Sequence, residues 1–123
     1  MKTLTKSMIK ACIKNREASS HKGNYGHALL IAGSKGCMGS AVISARACLR
    51  TGSGLLTVNV PQEERFALQV AIPEAMLVMR EHVEYDLTNF SAIGIGPGIG
   101  ITTDSKKLLK KLVAEFKNPF VFL

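Results

Sequence analysis

Apolar runs of strand length alternate along this chain with segments whose apolar residues recur every three or four positions. The runs predict strands at residues 28–32, 55–60, 75–79, 91–95 and 121–123. The helical spacing predicts helices that begin near Met38, cover residues 63–70 and follow residues 102–104, with Thr102, Thr103 and Asp104 as candidate N-caps. Strands that are apolar throughout are typical of a parallel sheet covered on both faces. The pattern therefore predicts a three-layer α/β/α domain with a mainly parallel sheet.

Two glycine-rich loops, GSKGCMGS at residues 33–40 and GPGIG at 96–100, each follow a predicted strand and precede a helix. A helix that begins there presents unpaired N–H groups, and open α/β sheets bind ligands at this edge. The first loop lacks the Gly-Lys-Ser/Thr ending of a phosphate loop, and the second lacks the GxGxxG spacing. We predict that both loops open onto one crevice and bind an anion. The alternative is that their glycines serve only tight turns.

A phosphate group is the simplest anion for such a crevice. The candidate phosphate contacts are Lys22, in the HKGNYG turn at residues 21–26, and the loop residues Gly33, Ser34, Gly36 and Gly39. A lysine ammonium can meet a phosphate as a point charge, although a purely structural lysine fits the turn equally well.

The formal net charge of +7 reflects 16 Lys and Arg residues against nine Asp and Glu residues. The lysines at positions 2, 6, 10 and 14 would form one stripe on a helix, and those at 106, 107, 110 and 111 lie opposite an apolar helix face. Both groups are interpreted as solvated faces, so no nucleic-acid partner is expected. The alternative for the first stripe is a nucleic-acid-binding module, whose affinity would fall steeply with salt.

Neither a membrane-spanning run nor the apolar block of a signal peptide is evident in the sequence. Cys12, Cys37 and Cys48 are odd in number and lack CxxC spacing. His21, His27 and His82 have no ligand-like spacing to one another or to a cysteine. The sequence therefore predicts a cytoplasmic protein with reduced cysteines, no metal site and no membrane partner.

Seven motifs, in order, resemble the ADP- or ATP-dependent NAD(P)H-hydrate dehydratases, which are relatives of the ribokinase-like kinases. They are HKGNYG at residues 21–26, AGS at 32–34, the helix start GSA at 39–41, ISARACLRTGSGLLTVNVP at 43–61, PEAM at 73–76, AIGIGPGIG at 92–100 and PFVFL at 119–123. The resemblance runs from about residue 20 to the end of the sequence. It implies a ribokinase-like fold.

The resemblance also implies a reaction and a substrate site. Members of the family use ADP or ATP with Mg²⁺ to phosphorylate the added hydroxyl group of hydrated NADH or NADPH, after which phosphate leaves and the ring is restored. The substrate-binding positions implied by the motifs are Ser40, Ala41, Gly96, Gly98 and Gly100. A homo-oligomer acting on a small nucleotide substrate is expected. A related kinase of a vitamin precursor or other small alcohol is the second enzyme hypothesis.

We expect two parts, a helical segment at residues 1–20 and the N-terminal part of a ribokinase-like α/β domain at residues 21–123. The sequence stops within the strand from Val121 to Leu123, whereas the family continues into a turn with aspartate and a GTGD-like loop that carries the catalytic aspartate. This predicts a truncated domain that supplies the hydrated-cofactor side and holds no catalytic residue. The 123-residue chain alone is therefore expected to have little or no dehydratase activity.

Overall fold

The computed structural model describes residues 3–13, 15–82 and 86–122. Its centre is a five-stranded sheet in the order β3-β2-β1-β4-β5, in which every neighbouring pair is parallel. The strands are β1 (His27–Ile31), β2 (Leu55–Val60), β3 (Met76–Met79), β4 (Ala92–Ile95) and β5 (Phe120–Phe122). The five predicted strands are confirmed, and their observed ends differ from the predicted ends by at most one residue. Leu123, assigned to the last strand from the sequence, lies outside the described residues.

The helices cover both faces of this sheet, which confirms the three-layer α/β/α prediction. They are α1 (Lys6–Cys12), α2 (Met38–Arg50), α3 (Arg65–Ala71) and α4 (Thr103–Glu115). One core lies between the sheet and the helices α2 and α3, and the second lies between the sheet and α4. The central strand β1 supplies Leu30 to the first core and Leu29 and Ile31 to the second. Because both of its faces are buried, β1 is apolar from Ala28 to Ile31.

The strand order reverses direction between β1 and β4. The chain leaves β1 for β2 and β3 on one side and then crosses to β4 on the other side of β1. In open α/β sheets such a switch point creates a crevice outside the carboxyl ends of the two strands, and ligands bind there. The first glycine-rich loop follows β1, and the second follows β4.

The helix α4 begins where the sequence predicts, at one of the three candidate caps. Thr102 is the N-cap, and its side chain accepts a hydrogen bond from the Ser105 N–H at 3.1 Å. Asp104 lies in the first turn, where a negative charge is favourable. The lysines of α4 are mostly exposed as predicted, but Lys111 is half-buried.

The N-terminal segment contains a short helix. The helix α1 has seven residues, begins after the Thr5 cap and buries none of its side chains. Lys6 and Lys10 of the predicted basic stripe lie on it, whereas Lys2 and Lys14 fall outside the described residues. Among the helices in the described ranges, none combines the length and apolarity that a membrane span requires.

Candidate functional site

The two glycine-rich loops are joined by backbone hydrogen bonds at the switch point. The Gly33 N–H donates to the Pro97 carbonyl at 2.7 Å, and the Gly96 N–H donates to the Ile31 carbonyl at 3.3 Å. The Ser40 hydroxyl, in the first turn of α2, donates to the carbonyls of Cys37 at 2.6 Å and Pro97 at 3.2 Å. The loops therefore lie against each other at the carboxyl ends of β1 and β4.

This close approach requires glycine at two positions. Gly33 has φ +73°, and a Cβ there would lie 2.7 Å from the Met38 sulfur. Gly98 has φ +67°, and a Cβ there would overlap the Ser40 hydroxyl and lie 3.0 Å from the Cys37 carbonyl oxygen. Left-handed backbone of this kind is costly for other residues. These glycines therefore permit the loops to pack against each other as well as to turn.

The packing also determines which amides are open to a ligand. The N–H groups of Gly33 and Gly96 are engaged between the loops. Within the described ranges, the N–H groups of Gly36, Gly98 and Gly100 have no hydrogen-bond partner, and Gly36 and Gly100 are exposed. Amides without a protein partner are satisfied by water or by a ligand oxygen. These three amides are therefore among the donors of the described loops that a ligand oxygen can meet.

The first turn of α2 adds donors beside the first loop. Its N-cap residue, Cys37, makes no capping hydrogen bond with its side chain. The initial N–H groups of the helix, including that of Gly39, are therefore without a side-chain acceptor. A 13-residue helix also directs its positive dipole end toward this loop. Both effects favour a negative or carbonyl oxygen in the crevice.

A cavity of about 530 Å³ opens beside the loops. The first loop contributes Ser34, the second contributes Ile99, and β3 contributes the arginine that follows it, Arg80. Its other described lining residues are Glu81 and, from the region of α4, Thr102, Asp104, Ser105, Lys107, Leu108 and Lys111. The cavity therefore combines apolar surface with charges of both signs.

Arg80 was missed by the sequence analysis, although its position directly after a strand is the available signal. Its Nη1 atom donates to the Gly33 carbonyl at 2.8 Å, and Nη2 donates to the carbonyls of Ala32 at 2.8 Å and Asn59 at 3.0 Å. Its Nε atom donates to the Asn59 side-chain oxygen at 3.1 Å. A planar guanidinium is suited to such a fork. Arg80 therefore links the residues that follow β1 to the carboxyl-terminal end of β2 through hydrogen bonds.

The structure does not bring Lys22 to the loops. Lys22 lies in the turn before β1, whereas both loops follow the carboxyl ends of β1 and β4. A five-residue strand spans about 17 Å, so the turn and the loops occupy opposite edges of the sheet. The turn packs instead against Gly54, where a Cβ would overlap the Lys22 carbonyl. The prediction that Lys22 shares a phosphate site with the first loop is not supported by this geometry.

Among the implied substrate positions, Ala41 has no exposed side-chain surface. It is fully buried in the core beneath the first loop, so its methyl group packs inside the protein. Ser40 is half-buried, and its hydroxyl group already donates to the carbonyls of Cys37 and Pro97. The Gly96 N–H likewise already donates to the Ile31 carbonyl. Gly98 and Gly100 keep their N–H groups available. The implied positions therefore divide into donors and residues that shape the loops.

Shifted pKa values occur at His27, Cys48 and Asp86, which lie away from the loops. Burial lowers the pKa of His27, whose Nε2 atom lies 2.8 Å from the Thr57 hydroxyl oxygen at the start of the central strands. Burial raises the pKa of the Cys48 thiol in α2. Hydrogen bonds from Thr88 lower the pKa of the exposed Asp86 carboxyl. We assign these groups to the fold and not to acid–base chemistry in the crevice.

The parallel sheet, the helices on both faces and the paired loops at the switch point define an open three-layer α/β domain, and solved structures show that its fold is ribokinase-like. A solved ribokinase-like superfamily protein from Enterococcus faecalis is similar, with a TM-score of 0.81 at 30% identity over 93% of this chain and 41% of that protein. A solved ADP/ATP-dependent NAD(P)H-hydrate dehydratase from Bacillus subtilis, co-crystallised with ATP and Mg²⁺, gives a TM-score of 0.83 at 28% identity over 96% of this chain and 44% of that protein.

The sequence comparison identifies the family. The family model described as NAD(P)H-hydrate dehydratase matches residues 28–122, and the chain belongs to this family. An ADP-dependent (S)-NAD(P)H-hydrate dehydratase from Listeria monocytogenes is 37% identical over 118 residues, a match that covers 94% of this chain and 43% of that relative. The chain therefore spans less than half the length of the relatives that it matches.

Proposed function

We propose that this chain forms the hydrated-cofactor side of the active site of an ADP- or ATP-dependent NAD(P)H-hydrate dehydratase. The observation that carries the proposal is the pair of hydrogen-bonded loops at the switch point, with the N–H groups of Gly36, Gly98 and Gly100 open among the described residues. The similar proteins from Listeria monocytogenes and Bacillus subtilis are named for hydrated NAD(P)H and for ADP or ATP, and they share the family or the fold of this chain.

The chemistry of the substrate fits these donors. A hydrated nicotinamide cofactor carries a pyrophosphate and a carboxamide, whose oxygens accept hydrogen bonds from backbone amides. In the proposed arrangement Gly98 and Gly100 donate to the substrate, and Gly36 donates to a phosphate oxygen beside Ser34 and Gly39. The conformation of the loops is maintained by Ser40, Ala41, Gly33 and Gly96. Amides fixed in this way need no reorganisation when charge develops in the reaction.

The reaction in this proposal is a phosphoryl transfer followed by an elimination. The added hydroxyl group of the substrate takes a phosphoryl group from the nucleotide and then leaves as phosphate, which restores the reduced nicotinamide ring. Mg²⁺ is held through carboxylate oxygens and phosphates in such sites. Neither loop carries a carboxylate, so the loops suit the organic substrate and not the metal ion.

Three further expectations belong to the proposal. We propose that the protein is a homo-oligomer, that it is cytoplasmic and that it binds no nucleic acid. The exposed apolar side chains of Ile9 and Ile13 support self-association. Lysines that lie on one solvated helix face, as Lys6 and Lys10 do on α1, are common without any polyanion partner. Light scattering tests the oligomer, and titration with DNA and RNA at low salt tests the absence of nucleic-acid binding.

The proposed function is tested by calorimetric titration of the purified chain with hydrated NADPH and with intact NADPH. The proposal predicts that the chain binds the hydrated form, and that the encoded polypeptide containing this sequence restores the absorbance of the reduced nicotinamide when ADP and Mg²⁺ are added. The 123-residue chain alone is expected to bind without turnover. Turnover of a small alcohol, without action on the hydrated cofactor, would contradict the proposal and favour a vitamin-precursor kinase.

A further inference from the structure

The guanidinium group of Arg80 begins a chain of hydrogen bonds that crosses both loops. Its Nη2 atom donates to the Ala32 carbonyl at 2.8 Å. The peptide unit of that carbonyl also contains the Gly33 N–H, which donates to the Pro97 carbonyl at 2.7 Å. The peptide unit of the Pro97 carbonyl contains the Gly98 N–H, which has no partner in the part of the chain that the structure describes. Two peptide units therefore connect a fixed cation to an open amide.

We infer that Arg80 is a positioning residue that orients and polarises the Gly98 amide through these two peptide units. A peptide unit is planar, so fixing the direction of its carbonyl also fixes the direction of its N–H. A charged donor makes a stronger hydrogen bond than a neutral one, and each bond in a chain polarises the next by about 10–30%. The Gly98 N–H is therefore a stronger and more rigid donor than an isolated loop amide.

Asn59 holds the guanidinium in the orientation that this chain of hydrogen bonds needs. Asn59 is only 1% exposed, and its side-chain oxygen accepts from Arg80 Nε at 3.1 Å, while its carbonyl accepts from Nη2 at 3.0 Å. The backbone N–H of Arg80 donates to the Val60 carbonyl at 2.8 Å. A lysine would keep the positive charge but lose the rigid fork, because its three donors share one nitrogen. The variant Arg80→Lys therefore separates orientation from charge.

The first measurement needs no ligand and is independent of the proposed function. Amide proton resonances report the strength of hydrogen bonds, and we expect those of Gly33 and Gly98 to move upfield in Arg80→Lys. The control is Arg46→Lys, because Arg46 lies on α2 and its guanidinium donates at 3.5 Å to the Ala71 carbonyl, outside the loops. We expect the control to leave both resonances in place. In the unaltered chain, a through-hydrogen-bond coupling between the Gly33 nitrogen and the Pro97 carbonyl carbon is expected.

The second measurement is affinity for hydrated NADPH, and this part rests on the proposed function. We expect Arg80→Lys to weaken binding on the order of tenfold, near the lower limit for hydrogen bonds that involve a charged group, and Arg46→Lys to have no effect. In Arg80→Ala, guanidinium ion below denaturing concentrations is expected to restore part of the affinity. Methylammonium ion, which has no fork, is expected not to restore it.

The outcomes distinguish the two proposals. If the unaltered chain does not bind hydrated NADPH, the proposed function fails, and the resonances still decide the role of Arg80. If Arg80→Lys lowers the unfolding midpoint but leaves the Gly98 resonance and the affinity unchanged, Arg80 is purely structural and the inference is overturned. If the substituted chains do not fold, the coupling in the unaltered chain decides, since its absence overturns the inference as well.

Discussion

Replacing Gly98 with alanine should drive the two loops apart. In the structure a Cβ at this position would overlap the Ser40 hydroxyl, and it would lie 3.1 Å from Ser40 Cβ and 3.0 Å from the Cys37 carbonyl oxygen. Because α2 holds Ser40 and Cys37, these atoms cannot move without disturbing the helix start. The substitution therefore tests whether the loops pack as closely as the crevice requires.

The size of the effect follows from two contributions. A left-handed backbone costs alanine about 1–2 kcal/mol, and forcing an extra methyl group into a packed contact costs about 1–3 kcal/mol. Gly36 is the matched control, because it also has positive φ, at +77°, but a Cβ there would meet nothing within 4 Å. Gly36→Ala should therefore carry the backbone cost alone. The two variants should differ by about 1–3 kcal/mol in the free energy of unfolding.

The assay is urea unfolding of both variants and the unaltered chain, followed by circular dichroism. The double variant Gly98→Ala with Ser40→Ala should recover part of the loss, because it removes the hydroxyl that the new methyl group overlaps. Equal unfolding free energies for Gly98→Ala and Gly36→Ala would refute the close packing of the loops. If Ser40→Ala does not relieve the loss, the hydroxyl is not the group that opposes the new methyl group, which leaves the contacts with Ser40 Cβ and the Cys37 carbonyl oxygen.

Three further outcomes are expected. Thr102→Ala should lower the unfolding free energy by about 1 kcal/mol in urea titrations, because it removes the hydrogen bond that caps α4; an unchanged midpoint would contradict this capping role. Burial holds the pKa of His27 below its ordinary value of 6.5, so the unfolded chain takes up the proton first and stability should fall as the pH drops below 6.5. His27→Gln should remove this part of the pH dependence, and an identical profile would exclude His27 as its source. Lys22→Ala should leave the affinity for hydrated NADPH unchanged in calorimetry, because the turn lies at the other edge of the sheet; a large loss would return Lys22 to the site.

The sheet and the position of the crevice could be predicted because both depend on the local pattern of apolar residues and glycines along the chain. The central strand is apolar on both faces, and glycine-rich segments follow β1 and β4. Carboxyl ends of parallel strands meet at one edge, so the two loops had to lie near each other. The basic stripe on the N-terminal segment was less informative, since repeated lysines do not set the length of a helix. The helix α1 covers only Lys6–Cys12.

The details of the site could not be predicted, because they depend on contacts between distant parts of the chain. The Gly33 N–H meets the carbonyl of Pro97, and only the strand register determines that this amide is engaged while that of Gly98 is open among the described residues. From the sequence alone, Arg80 resembles an exposed charged residue. Its role depends on the fold, which brings the ends of β1 and β2 within hydrogen-bond distance of its guanidinium group. Lys22 is close to the first loop in sequence, yet one strand separates them.

The central claim is that the open amides of both loops bind the hydrated cofactor, and amide chemical shifts during titration with hydrated NADPH test it most directly. The account predicts that the resonances of Gly36, Gly98 and Gly100 move together and saturate at one affinity, while those of Lys22 and its turn stay in place. Shifts confined to the opposite edge of the sheet, or no shifts in either loop at saturating ligand, would contradict it.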